Sequence, residues 1–180
     1  MAEEIINKVN QSGLTQIDLE DLRVAGDRIY IDIKDQLFQG IALREKDFRA
    51  FITAQNWSSY QDKHVAVGCS EEAIIPTWAY MLLGVSLTPF AKTLVFGNLQ
   101  ELEKVLFEQA LAKINPSDFQ DAKIVIKGCS KESVPTEAYI KITQLLQPVA
   151  KSLFFGEPFG EFHKRVSSLQ NALETAKSMI

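Results

Sequence analysis

Hydrophobic and polar positions change period several times along this chain, and each change marks an element. Residues 1–16 are mostly polar and read as a lead-in with one short helix ending near Gly13. Ile17–Leu22 reads as a short strand, and Gly26-Asp27 as a turn. Ile29, Ile31 and Ile33 then alternate with Tyr30, Asp32 and Lys34, the period of a half-buried strand. The apolar run Leu37–Leu43 follows closely and is expected to return as its hairpin partner. Arg44–Ala54 carries Phe48, Phe51 and Ile52 at helical spacing, and Asn56–Asp62 reads as a loop.

From Lys63 the pattern becomes strand, helix, strand, helix, strand, helix, strand. His64–Val67, Leu94–Phe96, Ile124–Ile126 and Leu153–Phe155 are short, mostly apolar runs, the kind covered on both faces in parallel sheets. Ala138, Ile142, Leu145, Leu146 and Val149 mark one helical face, with Ala79, Leu83, Ser86, Leu87 and Phe90 matching it earlier. Trp78, Met81, Leu82 and Val85 add apolar residues on the other faces, so the first of these helices is expected to be the more deeply buried. Pro89 and Pro148 stop the two helices. Asn98 with Glu101 caps a further helix running to about Lys113. A stripe of Phe162, Val166, Leu169, Leu173 and Ala176 predicts a C-terminal helix.

The segment from Lys63 to Gly97 resembles that from Lys123 to Gly156. With one gap before the first proline, half of the paired positions are identical, and the chain's only two cysteines align. The expectation is one domain over 1–180 built on an internal duplication. Its parts are an N-terminal hairpin and helix (1–62), a first βαβ unit (63–97), a connecting helix (98–122), a second βαβ unit (123–156) and the C-terminal helix (157–180). Two βαβ units about a two-fold axis give one parallel α/β core sheet of order 2-1-3-4. A switch-point cleft then opens where the leading strands meet. Gly68-Cys69-Ser70 and Gly128-Cys129-Ser130 would face that cleft, beside helix starts at Pro76-Thr77 and Pro135-Thr136. Either threonine could cap its helix. Helix N-termini favour anions and thiolates.

Cys69 and Cys129 fit two roles: small buried apolar residues, or a thiol pair acting as nucleophile, redox couple or metal ligands. Two cysteines alone are too few for a tetrahedral metal site, so no metal is assigned. Ser70, Ser130, Glu72, Glu132, Thr77 and Thr136 recur in both copies and are candidate ligand contacts. As simpler alternatives, Ser and Glu are loop and helix-start residues. Tyr80 and Tyr139 read as core packing, Lys92 and Lys151 as surface charges. Asp27, Asp32 and Asp35 read as hairpin-surface charges. His64 starts a strand with no partner evident in the sequence. No dinucleotide, phosphate-loop or zinc-protease motif occurs, and no cofactor follows.

A net charge of −4 with scattered basic residues argues against a nucleic-acid surface. No apolar run is long enough to span a membrane, and the N-terminus lacks signal character. The reading is a cytoplasmic protein with free thiols. Its expected partners are a protein or a small anionic ligand, with self-association through the C-terminal helix.

The stretches QLFQGIALREKDFRAFI, GCSEEAIIPTWAYMLL and VIKGCSKESVPTEAYIKITQLLQPVAKSLFFGEP resemble a bacterial family catalogued as domain of unknown function 2480. The resemblance covers most of residues 1–158. It implies an auxiliary role in sulfur or iron–sulfur metabolism and no defined activity. Relatives continue past Gly-Glu-Pro with a third cysteine, whereas Phe159 follows here. Three functions are open at this point. One is a thiol-dependent accessory protein using the paired Gly-Cys-Ser motifs. The others are a non-catalytic ligand- or protein-binding module with structural cysteines, and an enzyme on a small anion that lacks a recognisable general base.

Overall fold

The structure, a computed structural model, describes residues 7–9, 14–128 and 133–156. These fall into two compact units. The middle unit is Ala25–Leu106, and the terminal unit combines Met1–Val24 with Phe107–Ile180. Both names refer to sequence position. The expected C-terminal helix lies outside the described residues.

The middle unit holds a three-stranded parallel sheet of order β3-β6-β7: β3 (Arg28–Asp32), β6 (His64–Gly68) and β7 (Thr93–Phe96). Between β3 and β6 lie the small hairpin β4 (Leu37–Phe38) and β5 (Ala42–Leu43), and helix α1 (Glu45–Ala54). Helix α2 (Thr77–Leu87) links β6 to β7. The terminal unit repeats the scheme. Here β2 (Leu14–Asp18), β8 (Lys123–Lys127) and β9 (Ser152–Phe155) are parallel, and β1 (Asn7–Val9) adds an antiparallel edge to β2. Helix α3 (Leu99–Leu111) carries the chain back, and α4 (Thr136–Leu146) links β8 to β9.

The α/β class with parallel strands is therefore what the sequence pattern indicates, but the strands form two sheets rather than one of order 2-1-3-4. The leading strands β6 and β8 are not ladder partners. Each takes the centre of its own sheet because an N-terminal strand, β3 or β2, pairs with its free edge. Both N-terminal strands end in Ile-Asp, and in both the aspartate accepts from the backbone N–H two residues on: Asp18 from Glu20 at 3.0 Å, Asp32 from Lys34 at 3.0 Å. Residues 7–9 and 14–16, read as lead-in with a helix, are strand, since β8 offers an edge to 14–16 and β2 in turn offers its outer edge to 7–9. The run Leu37–Leu43 does not return along β3. It folds on itself as β4 and β5, and β3 pairs with β6 instead.

Each sheet buries one apolar layer. Phe48 of α1 and Phe107 of α3 are fully buried at matching places, under the first helix of each unit. Pro76 and Pro135 take the N-cap positions, so Thr77 and Thr136 are the first helical residues and their side chains cap nothing. Helix α2 is less buried than its composition implies: Met81 and Val85 are 67% and 75% exposed. The stripe Ala79, Leu83 and Leu87 is fully buried and Trp78, Tyr80 and Leu82 pack against its flanks, which leaves Met81 and Val85 as apolar residues turned to solvent.

His64 is buried at the start of β6 and is fully partnered. Nε2 lies 3.1 Å from the Ala25 carbonyl and Nδ1 3.0 Å from the Thr93 hydroxyl. A carbonyl only accepts, so Nε2 carries the proton and Nδ1 accepts from threonine. Gly26, at φ +129°, runs close over the imidazole, where any Cβ would be strained and crowded. Among the described residues no helix is long and apolar enough to cross a membrane.

Phe48→Ala and Phe107→Ala should each cost about 3–5 kcal/mol. Amide exchange separates them: Phe48→Ala lowers protection chiefly in β6 and β7, Phe107→Ala chiefly in β8 and β9.

Candidate functional site

In parallel α/β sheets the carboxyl ends of the strands are where ligands gather, because loops there leave the layered core. In the middle unit this edge brings together Tyr30 and Asp32 of β3, Cys69 and Ser70 after β6, and Tyr80 of α2. Asp32 organises it. Its Oδ2 accepts from the Ser70 hydroxyl at 2.6 Å, and its Oδ1 accepts from the backbone N–H of Ser70 at 3.1 Å and of Lys34 at 3.0 Å. The Lys34 ammonium stands 3.7 Å away. Burial works against ionisation of Asp32, but the Ser70 hydroxyl, the two backbone N–H groups and the lysine charge outweigh it. Its pKa lies below the usual carboxylate range.

Cys69 is a free, half-buried thiol whose side chain packs on the edge of the middle core. Tyr30 and Tyr80 sit near it. Both phenols have raised pKa values: burial acts first, and the charges of Asp32 and Cys69 add to it. They therefore remain protonated donors throughout the neutral range. The Tyr30 hydroxyl lies over Gly68, 3.1 Å from where a Cβ would stand, and the Gly97 carbonyl closes the same space at 2.9 Å. Tyr80 packs edge-on against Phe96, centroids 4.9 Å apart, with Phe96 itself 69% exposed.

The terminal unit keeps part of this arrangement. Tyr139 packs edge-on against Phe155 at 5.5 Å. The counterpart of Cys69, however, is not a thiol. Gly97 N–H donates to the Val67 carbonyl at 2.9 Å, and Gly156 N–H to the Ile126 carbonyl at 3.0 Å, which makes Val67 and Ile126 counterparts. Counting on, Gly128 is the counterpart of Cys69. Aligning the two Gly-Cys-Ser triplets would shift the strands by one residue from the register that the ladders give. A side chain at Gly128 would collide with the Tyr139 hydroxyl, so that position is glycine for want of space.

Of the residues singled out in the sequence, Cys69 and Ser70 fall at this edge. Glu72 and Thr77 are exposed, Glu72 in the linker to α2 and Thr77 at its start; Thr136 is exposed at the start of α4. The linker is pinned at Ile74, whose N–H donates to the Ile41 carbonyl at 3.0 Å. Cys129, Ser130 and Glu132 lie outside the described residues. Among the described residues no three His, Cys, Asp or Glu side chains converge as metal ligands. Sequence reasoning missed Asp32 and Tyr30. The available signal was the recurrence of Ile-Asp in LTQID and RIYID, which marks the end of a strand paired with each Gly-Cys-Ser strand.

The fold and this edge define an α/β protein of two parallel-sheet units, one presenting a thiol beside two phenols and a serine-held carboxylate. Residues 3–162, most of the chain, match the family described as a protein of unknown function (DUF2480), and the chain belongs to that family. No curated protein and no solved structure matches it.

Asp32→Ala removes three hydrogen bonds to a charged acceptor and should cost about 1–2 kcal/mol at pH 7. Because the folded pKa lies below the unfolded value, this stability is present above about pH 4 and lost as pH falls through the folded pKa. Urea denaturation of both proteins from pH 7 to pH 2.5 should show the difference shrinking toward the acid end. Gly128→Ala should destabilise by about 1–3 kcal/mol through overpacking, and adding Tyr139→Phe should recover part of it.

Proposed function

We propose that the protein is a thiol-dependent accessory protein of sulfur or iron–sulfur metabolism, acting in the cytoplasm, with Cys69 as its working group. The observation that supports this reading is a free thiol at the carboxyl end of a central parallel strand, flanked by two phenolic donors. Such donors stabilise negative charge developing on a neighbouring sulfur. Asp32 fixes Ser70 and so shapes the loop that carries Cys69. The sulfur or iron–sulfur context comes from the family resemblance. In this reading Ser70, Glu72 and Thr77 contact the ligand or donor of the middle unit, Ser130, Glu132 and Thr136 serve likewise in the terminal unit with Cys129 as its thiol, and the two units descend from one duplicated βαβ segment.

The elementary step is sulfur transfer. The Cys69 sulfur attacks the outer sulfur of a persulfide donor, a Cys69 S–S bond forms, the donor's own S–S bond breaks, and the donor leaves as a thiol. No oxidant is consumed. A second reading, a protein-binding module with structural cysteines, is favoured by the exposed apolar residues Ile41, Ile74, Met81 and Val85 of the middle unit.

The test uses the Cys129→Ser protein with glutathione persulfide, read by intact mass. One sulfur atom should be gained, and none by the Cys69→Ser/Cys129→Ser protein. Tyr30→Phe/Tyr80→Phe should slow loading by about tenfold or more. A folded protein whose Cys69 takes no sulfur and resists iodoacetamide overturns the thiol reading. Retention of partner binding by Cys69→Ala/Cys129→Ala then supports the second.

A further inference from the structure

The terminal unit contains a half-open cavity of about 410 Å³ that is separate from the thiol edge. Its apolar wall comes from Ile17 of β2, Leu22 just after it, Ile114 beyond α3 and Phe119. Comparison with the middle unit explains why the space exists. Asn56 and Asn115 each lead into a 3-10 turn, Trp57–Tyr60 and Pro116–Phe119. The turns are in register: Asp62 and Asp121 follow them at φ 60° and 56°, and donate to the carbonyls of Phe90 and Val149 at 3.0 and 2.9 Å.

In the middle unit this corner is filled by aromatic rings. Phe51 meets Trp57 edge-on at 6.0 Å, Trp57 stacks toward Tyr60 at 6.0 Å, and the indole N–H donates to the Ile52 carbonyl at 2.8 Å. At the same count from the asparagine, the terminal unit has Ala110 for Phe51 and Pro116 for Trp57. A phenyl and an indole are thus replaced by a methyl group and a small ring. Interiors close on themselves to crystal-like density unless something holds them open. Here the helix end and the 3-10 turn hold the walls apart, leaving room within the ordinary size range of small-molecule sites.

Charge at the mouth selects the ligand. Among the described lining residues two carboxylates, Asp21 and Asp118, stand against one cation, Lys113, and Asp118 is held by the Asn115 amide at 3.0 Å. Ala110 lies in the last turn of α3, so the negative end of that helix adds to the field. We infer that this cavity is a second binding site, for a small organic cation with a ring-sized apolar body such as an aromatic amine. The apolar body takes the place that Phe51 and Trp57 fill in the other unit, and the ammonium meets Asp21 and Asp118.

Titration of the full chain with tryptamine, indole and indole-3-acetate, followed by methyl and amide NMR, tests this. Tryptamine should bind most tightly and indole-3-acetate at least about tenfold more weakly, a difference of one decade in Kd. Shifts should centre on Ile17, Leu22, Ala110 and Ile114. Ala110→Phe, which restores the ring found at Phe51, should abolish binding of all three. Asp21→Asn/Asp118→Asn should remove the preference for the amine while indole still binds. If Ala110→Phe fails to fold, the shift map of the unaltered protein and the charge variants decide. Absence of binding, shifts centred elsewhere, wild-type affinity in a folded Ala110→Phe protein, or an amine preference that survives the charge variants each overturns the inference. None of these outcomes bears on Cys69, which lies in the other unit.

Discussion

The parallel ladder between β2 and β8 is the constraint on which the terminal unit depends. Leu14–Asp18 pairs with Lys123–Lys127 residue for residue, with the whole middle unit between them in sequence. Parallel strands cannot be joined by a tight turn, so some long crossover is unavoidable. Closing a long loop costs only slightly more than closing a short one, because the entropy grows with the logarithm of length. Folding a compact unit inside that loop reduces the cost further, since the ends of an ordered insert are already held. Without this ladder β8 would have a bare edge, and Ile17, Ile124 and Ile126 would lose the layer they share with Phe107.

Much of this was legible from periodicity. The alternation Ile29, Ile31 marks β3, the stripes Ala79-Leu83-Leu87 and Ala138-Ile142-Leu146 mark the inner faces of α2 and α4, and Asn98 marks the start of α3, accepting from Gln100 and Glu101 at 2.8 and 3.1 Å. Pairing was not legible. An apolar run of four or five residues shows that a strand is covered on both faces, but it carries no record of which strand lies beside it. That is why β2 and β3 were read as peripheral when each completes a sheet. The site was half legible. Cys69 and Ser70 stand out as a triplet, while Asp32 looks like any turn aspartate until its bonds to Ser70 are seen. The triplet also misled: matching letters aligned Cys69 with Cys129, whereas the ladder aligns it with Gly128.

The two units show how one scheme carries different contents. The backbone bonds at Asp62 and Asp121, at Gly97 and Gly156, and at the strand-end aspartates are the same. The differences are confined to what fills the ends of the layers. One unit spends aromatic rings on its corner and places a thiol at its sheet edge. The other leaves the corner open and has glycine where the thiol would be, with the Tyr139 hydroxyl against it. Backbone pairing tolerates such exchanges because ladder hydrogen bonds do not depend on side-chain identity, whereas each layer end must be packed or opened on its own terms.

The discontinuity of the terminal unit has a consequence during synthesis. Translation proceeds from the amino end, so the ribosome releases β2 first and every strand of the middle unit next, while β8 is still unmade. The middle unit can complete its sheet while the nascent chain is still attached. Strand β2 must wait, with the edge that β8 will cover still unsatisfied. A nascent strand with an open edge is prone to pair wrongly. In this chain that interval is set by the rate of translation from Leu19 to Ala122, the whole middle unit and the returning helix included, before the partner strand exists.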